Sequence, residues 1–194
     1  MQTIKFSFVV FMAMVLAGCQ QTYIPQAQQV DLTGSPYILN VASVNVAEEY
    51  QSSKTPPHVE LLSDIPPAKA IKQWADAKLV ASGSNGYAEF VIKDARIVKK
   101  ALPKQKSGIE GYFTNEQTEQ YDGFAEVELK IYDGKRTLPA ASIRVSSRNS
   151  RTLPENATIV DRKNIYHDMS IELMQLLEKQ LRQNIRAHLN NYLM

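Results

Sequence analysis

The chain of 194 residues has one cysteine, Cys19, only three histidines and a formal net charge of +2. Each scarcity excludes something. A single thiol offers no disulfide framework, so whatever folds here must fold on its apolar core. His58, His167 and His188 lie far apart in sequence, with no His-x-x-x-His spacing and no second cysteine to join them, so no metal site is expected. A charge near zero lacks the basic excess of a nucleic-acid protein. Phosphate-binding loops are missing, and Gly83-Ser84-Asn85-Gly86 does not have the Gly-x-Ser-x-Gly spacing of a hydrolase elbow. The acid pairs Glu48-Glu49 and Glu126/Glu128 read as solvated loop and strand positions. No catalytic residue, metal or dissociable cofactor is therefore expected. The chain also lacks an apolar run long enough to span a bilayer: the longest, Phe6 to Ala17, has the length of a secretory h-region.

What is there begins with that run. Lys5 is the only charge among the first eighteen residues, and the apolar stretch ends in Leu16-Ala17-Gly18-Cys19. This tetrapeptide resembles the lipobox of bacterial lipoproteins. The resemblance implies that residues 1–18 are a signal peptide, that Leu16, Ala17 and Gly18 admit the peptidase, and that Cys19 carries a diacylglycerol and an N-acyl chain. Cleavage leaves 176 residues and a formal charge of +1. Gln20 stands where an aspartate marks inner-membrane retention in that family, so the resemblance implies the outer membrane, facing the periplasm. Each buried methylene contributes about 0.8 kcal/mol, which makes an anchor of several acyl chains effectively permanent.

Residues 19–36 are rich in Gln, with Pro25, Gly34 and Pro36, and show neither helical nor strand periodicity. They read as a flexible leash whose coil reach is roughly 20 to 25 Å. The rest, 37–194, reads as one α+β domain. Tyr37 to Val46 suits a first strand, and Pro66-Pro67 opens a helix to about Ala81 with Ile71, Trp74, Ala75 and Leu79 on one face. A second strand, Tyr87 to Val98, changes parity near Lys93-Asp94, where a bulge is expected. Ala125 to Ile131 and Ala141 to Val145 alternate cleanly. A two-residue turn at Asp133-Gly134 puts Ile143 and Val145 on the wrong face, so an odd loop of three or five residues is required. That register sets Glu126 or Glu128 opposite Arg144.

From Asp161, taken as the N-cap, a helical pattern runs almost to Met194. It carries one apolar row of Met169, Leu173, Leu176 and Leu177, and a second of Ile171, Met174, Leu181, Ile185, Leu189 and Tyr192. The second row must meet the first helix, a bent continuation of the core, or a partner. Leu181, Ile185, Leu189 and Tyr192 are thus candidate partner-binding residues. Residues 101–120 make too long a link for a hairpin, and Ile109, Tyr112 and Phe113 within it either anchor a partner or fold back over the sheet edge. The cations Lys93, Arg96, Lys99, Lys100, Lys104 and Lys106 precede a run of six acids from Glu110 to Glu128. They are read as complementary strand faces in preference to a patch for anionic lipid.

The expected fold is an antiparallel sheet of about four strands packed on one face by a short and a long C-terminal helix, in the order β-α-β-β-β-α. The stretch Pro-Pro-Ala-Lys-Ala-Ile-Lys-Gln-Trp-Ala-Asp-Ala-Lys-Leu resembles the Trp-containing helix of auxiliary lipoproteins of ABC-type or MCE-type envelope transporters. That resemblance implies a non-enzymatic accessory with a periplasmic or envelope protein partner. A lipid carrier with an apolar groove is the alternative. An envelope-modifying enzyme needs a histidine beside a carboxylate in a pocket.

Overall fold

A computed structural model describes residues 29–103, 117–134 and 137–194. Strands β1 (Tyr37–Leu39) and β2 (Ser43–Glu48) lead through a 3-10 turn at Glu60–Leu62 to helix α1 (Pro67–Lys78). Then follow β3 (Leu79–Ala81), β4 (Tyr87–Ala101), β5 (Gln117–Tyr132), β6 (Ala141–Pro154) and helix α2 (Ile159–His188). A four-stranded sheet runs β2-β4-β5-β6, and β1 pairs with β3 in a small second sheet. Both helices pack on one face of the larger sheet. The fold class is the α+β arrangement that the order of elements predicts.

Several details depart from expectation. The β2/β4 pair is parallel, so the sheet is antiparallel only across β4, β5 and β6. The single strand expected over 37–46 is broken into two. Leu39 and Val41 are buried on odd positions, whereas the inward residues of β2, Val44 and Val46, lie on even ones opposite Ala88 and Phe90. The break lets the chain pass from one sheet to the other, held by Asn40 N–H to the Tyr192 carbonyl at 2.8 Å and Ala42 N–H to the Gly86 carbonyl at 3.1 Å. Gly83 lies so close here that a Cβ would stand 2.5 Å from Asn40 Oδ1. Helix α1 stops at Lys78 instead of Ala81 because Leu79–Ala81 is drawn out as β3 to pair with β1.

Elsewhere the register follows the pattern. A shift between Ile92 and Asp94 is the bulge expected at that place. Val127 pairs with Val145, Leu129 with Ile143, and Glu128 with Arg144. The connection between the last paired residues, Ile131 and Ala141, has the required odd length, but it runs over 132–140 and is longer than the three or five expected. Both strands outlast their cleanly alternating stretches, β5 reaching back to Gln117 and β6 on to Pro154.

Tyr121, Ala125, Val127, Leu129 and Ile131 of β5 point into the core, as do Phe90, Ile92 and Ile143. Trp74 of α1 packs there between Tyr37 and Phe90, with ring centroids 6.3 and 6.0 Å away. Helix α2 comes close to β5 and β6 over small residues. A Cβ on Gly123 would stand 3.0 Å from Leu173 Cδ1 and 3.3 Å from Met169 Cε. Ser147 Oγ donates to the Leu173 carbonyl at 2.9 Å, and Asn149 Nδ2 to that of Met169 at 3.0 Å. The helix begins with a capping box, Thr158 as N-cap and Asp161 three residues on, each side chain bonded to the other's backbone N–H. Asp161 is therefore the third helical residue rather than the cap; Thr158, three residues before it, supplies the cap because its short hydroxyl accepts the Asp161 N–H.

Candidate functional site

Leu16, Ala17, Gly18 and Cys19, and likewise Ile109, Tyr112 and Phe113, lie outside the described residues. Of the helical candidates for partner binding, Leu181, Ile185 and Leu189 are fully buried in the same core as Ile71 and Trp74. They cannot meet a partner in this conformation, which corrects that expectation. The two apolar rows of α2 merge into one broad buried arc, because Ser170, which lies between them, and Tyr166 are buried too. One side of the arc faces the sheet, and α1 packs against α2 as well. Tyr192 lies just beyond the helix in a 3-10 turn and is half-buried against the core. Leu176, at the margin of the arc, is exposed.

The basic residues of β4 are neutralised one by one. Lys93 pairs with Glu49, Arg96 with Asp94, Lys99 with Glu119 at 2.7 Å and Lys100 with Asp122 at 2.6 Å. Arg144 reaches Glu128 at 3.3 Å and Glu126 at 3.8 Å. Lys99 and Lys100 meet acids of β5, as the reading of complementary strand faces expects, whereas Lys93 and Arg96 pair outside that acidic run. Phe124 lies between two guanidinium groups, Arg96 at 4.8 Å and Arg148 at 5.0 Å.

A histidine does stand beside a carboxylate. His58 Nδ1 is 3.3 Å from Glu60 Oε1, and Glu60 is fully buried. The Glu60 carboxylate also accepts from Tyr50 Oη at 2.7 Å, Ser53 N–H at 3.2 Å and Ile97 N–H at 3.4 Å. Burial, reinforced by the bond to Glu60, pushes the Tyr50 hydroxyl well above the ordinary phenol range. The donors come from the start of the 49–60 connection and from β4, and the acceptor from its end. Val59 N–H also bonds the Ile97 carbonyl, and Lys99 N–H that of Pro57. Glu60 is the pin of a strap along the free edge of β4, with its lone pairs spent on that task. Among the described residues no group of three His, Cys, Asp or Glu is placed to hold a metal ion.

The charged cleft lies elsewhere, where the chain enters the domain. It has a volume of about 340 Å³ and is walled by residues 33–38, Lys78, the outer face of α2 at Glu178, Arg182 and Arg186, and Leu193 with Met194. Lys78, the last residue of α1, is only 3 % exposed. Its ammonium donates to the carbonyls of Thr33 and, at 2.8 Å, Gly34. Asp31 accepts the Thr33 N–H at 2.8 Å, and the Thr33 side chain and backbone hold its carboxyl below the usual range. Val30 packs on the core. Residues 30–34 of the expected leash are thus fastened to the domain. Arg182 meets Glu178 at 3.1 Å, which raises the guanidinium pKa, while burial raises that of Tyr37. Arg186 makes no ion pair with a described residue and is exposed. Sequence reasoning missed this cleft. The spacing of Glu178, Arg182 and Arg186, one helical turn apart, was its only visible signal. Nothing in the sequence ties them to Lys78, a hundred residues earlier.

No family model and no curated protein matches the chain. Solved structures do. A minor lipoprotein from Acinetobacter baumannii is 13% identical with a TM-score of 0.44, over 80% of this chain and 96% of that one. Uncharacterized lipoprotein B from Nitrosomonas europaea is 14% identical with a TM-score of 0.38, over 79% and 90%. A putative neuraminyllactose-binding hemagglutinin homolog from Helicobacter pylori is 11% identical with a TM-score of 0.36, over 78% and 94%. The likeness concerns the course of the chain and goes no further.

Proposed function

We propose that this chain is a lipoprotein anchored to the outer membrane through Cys19, facing the periplasm, and that it serves an envelope complex as a non-enzymatic accessory. The observation that carries the reading is Leu16-Ala17-Gly18-Cys19 directly after a short apolar run, with Gln20 following. The resemblance of the α1 stretch to auxiliary lipoproteins of ABC-type or MCE-type transporters supports the accessory role. No helix among the described residues is long and apolar enough to cross a membrane. The contact of His58 with Glu60 is used up in holding the strap. The carrier alternative needs an apolar groove between sheet and helices, and there Trp74, Phe90, Leu129 and Met169 are packed without exposure. The test is to fractionate envelopes bearing the wild-type chain or Cys19→Ser and to weigh the purified proteins. The wild type is expected in the outer-membrane fraction, cleaved before Cys19 and carrying the mass of its acyl chains. A Cys19→Ser chain that is processed and fractionates identically would overturn the proposal.

A further inference from the structure

We infer that the cleft formed by Lys78, Arg182 and Arg186 binds a phosphate group, and that this phosphate belongs to a lipid head group of the membrane to which the chain is tethered. The choice of lipid as the source rests on the lipoprotein reading; the phosphate site does not.

The lining of the cleft carries three cationic side chains, Lys78, Arg182 and Arg186, against one acidic side chain, Glu178. Lys78 is buried, no carboxylate of a described residue lies within ion-pairing distance of it, and its ammonium is in contact only with two backbone carbonyls among those residues. A buried cation with no carboxylate in contact is costly, and an anion in the adjoining cavity relieves it. The acid among the lining residues, Glu178, is engaged by Arg182. Asp31 acts on Lys78 and Arg182 through charge, but it is solvent-exposed and holds Thr33. Arg186 follows Arg182 by one turn on the same helix face and, with no ion pair to a described residue, presents a fork of N–H donors, the geometry that matches phosphate oxygens. A volume of about 340 Å³ accepts a phosphodiester with its glycerol.

The position of the cleft points to the membrane. Its wall includes residues 33–38, the point at which the leash joins the domain. From Cys19 to Asp31 is about twelve residues, and at ~3.5 Å per residue no conformation of that stretch exceeds about 42 Å. The tether therefore holds the cleft, which lies at its point of attachment, within about 42 Å of the head groups. Attraction of cationic side chains to an anionic lipid surface acts within about a Debye length, so this placement is what makes the charges effective.

The experiment uses the full-length protein in non-ionic detergent, titrated calorimetrically with short-chain phosphatidylglycerol below its micellar concentration and, separately, with inorganic phosphate. Wild type is compared with the Arg182→Gln/Arg186→Gln variant, whose melting temperature is measured alongside. Phosphatidylglycerol is expected to bind more tightly than inorganic phosphate, and the variant to weaken that binding by about tenfold or more. Added salt is expected to weaken it too. Inorganic phosphate binding as tightly as the lipid would overturn the lipid source. Absence of binding by both probes, or equal binding by a folded variant, would overturn the site itself. The titration reads the cleft whether or not Cys19 is acylated, so its failure is separable from that of the anchor.

Discussion

Glu119 accepts from three side chains at once. Arg162 grips it with two nitrogens, Nε at 2.9 Å and Nη2 at 3.1 Å, while Lys99 and the Tyr121 hydroxyl also donate to it. Arg162 in addition bonds the Ala157 carbonyl at 2.7 Å, so one carboxylate ties the start of α2 to β4 and β5. These donors, Arg162 foremost, lower the Glu119 pKa from 4.5 to about 2. A depressed carboxylate contributes stability in full above its unfolded value and loses it as pH falls through the folded one. The contribution is therefore complete above about pH 4.5 and gone near pH 2. Glu119→Gln is expected to cost on the order of 2 kcal/mol at pH 7, after allowance for solvent around the group, with the difference from wild type closing between those limits. Urea denaturation at a series of pH values checks it; a difference that stays constant with pH would contradict the account. The identity of this network was not legible in the sequence, since Glu119 and Arg162 are far apart and each is an ordinary charged residue until the fold brings them together.

At the scale of elements, α2 shows what periodicity can and cannot decide. Its two apolar rows were plain in the sequence, and so was the need for two covers. The identity of the second cover was not. Leu181, Ile185 and Leu189 lie in the core in a helix packed against both sheet and α1, so a surface role for them is replaced by a packing role. Leu181→Ala is accordingly expected to destabilise the protein by about 2 to 5 kcal/mol, the range for a large-to-small change in a close-packed core. Thermal and chemical unfolding measure this, and a loss below ~1 kcal/mol would restore the interface reading. The bulge in β4 and the register of β5 with β6 were legible because side-chain parity is strict in a half-buried strand. The division of the first strand had its signal also, in the parity change between Val41 and Val44, but the destination of each half depends on β3 and β4. Helix α1 overran for the same reason: Leu79 continues its apolar face, and only the partner strand β1 pulls it into extended form.

For the whole molecule, the leash and the domain are joined by more than a peptide bond. Lys78 reaches from the end of α1 to the carbonyls of Thr33 and Gly34, fixing the direction in which the chain leaves toward its amino end. Lys78→Met keeps the length of the stem and removes the donor. It is expected to leave the melting temperature nearly unchanged, since replacing a buried charge by a matched apolar group is often neutral. Amide exchange over residues 30–36 is expected to quicken several-fold, because local opening no longer breaks those bonds. Exchange followed by mass spectrometry measures it, and unchanged protection of that stretch would show that the contact does not hold the leash.

The α+β class, the number of main strands, the bulge, the register of the last hairpin and the expected site of lipidation all follow from local pattern. Period, parity and the residues around one cysteine are properties of neighbours along the chain. The parallel pairing of β2, the split of the first strand, the covering of the second row of α2, the Glu60 strap and the cationic cleft belong to the tertiary structure alone. Each depends on groups tens of residues apart. Burial and charge act through space, and only the closed fold sets which side chains share it.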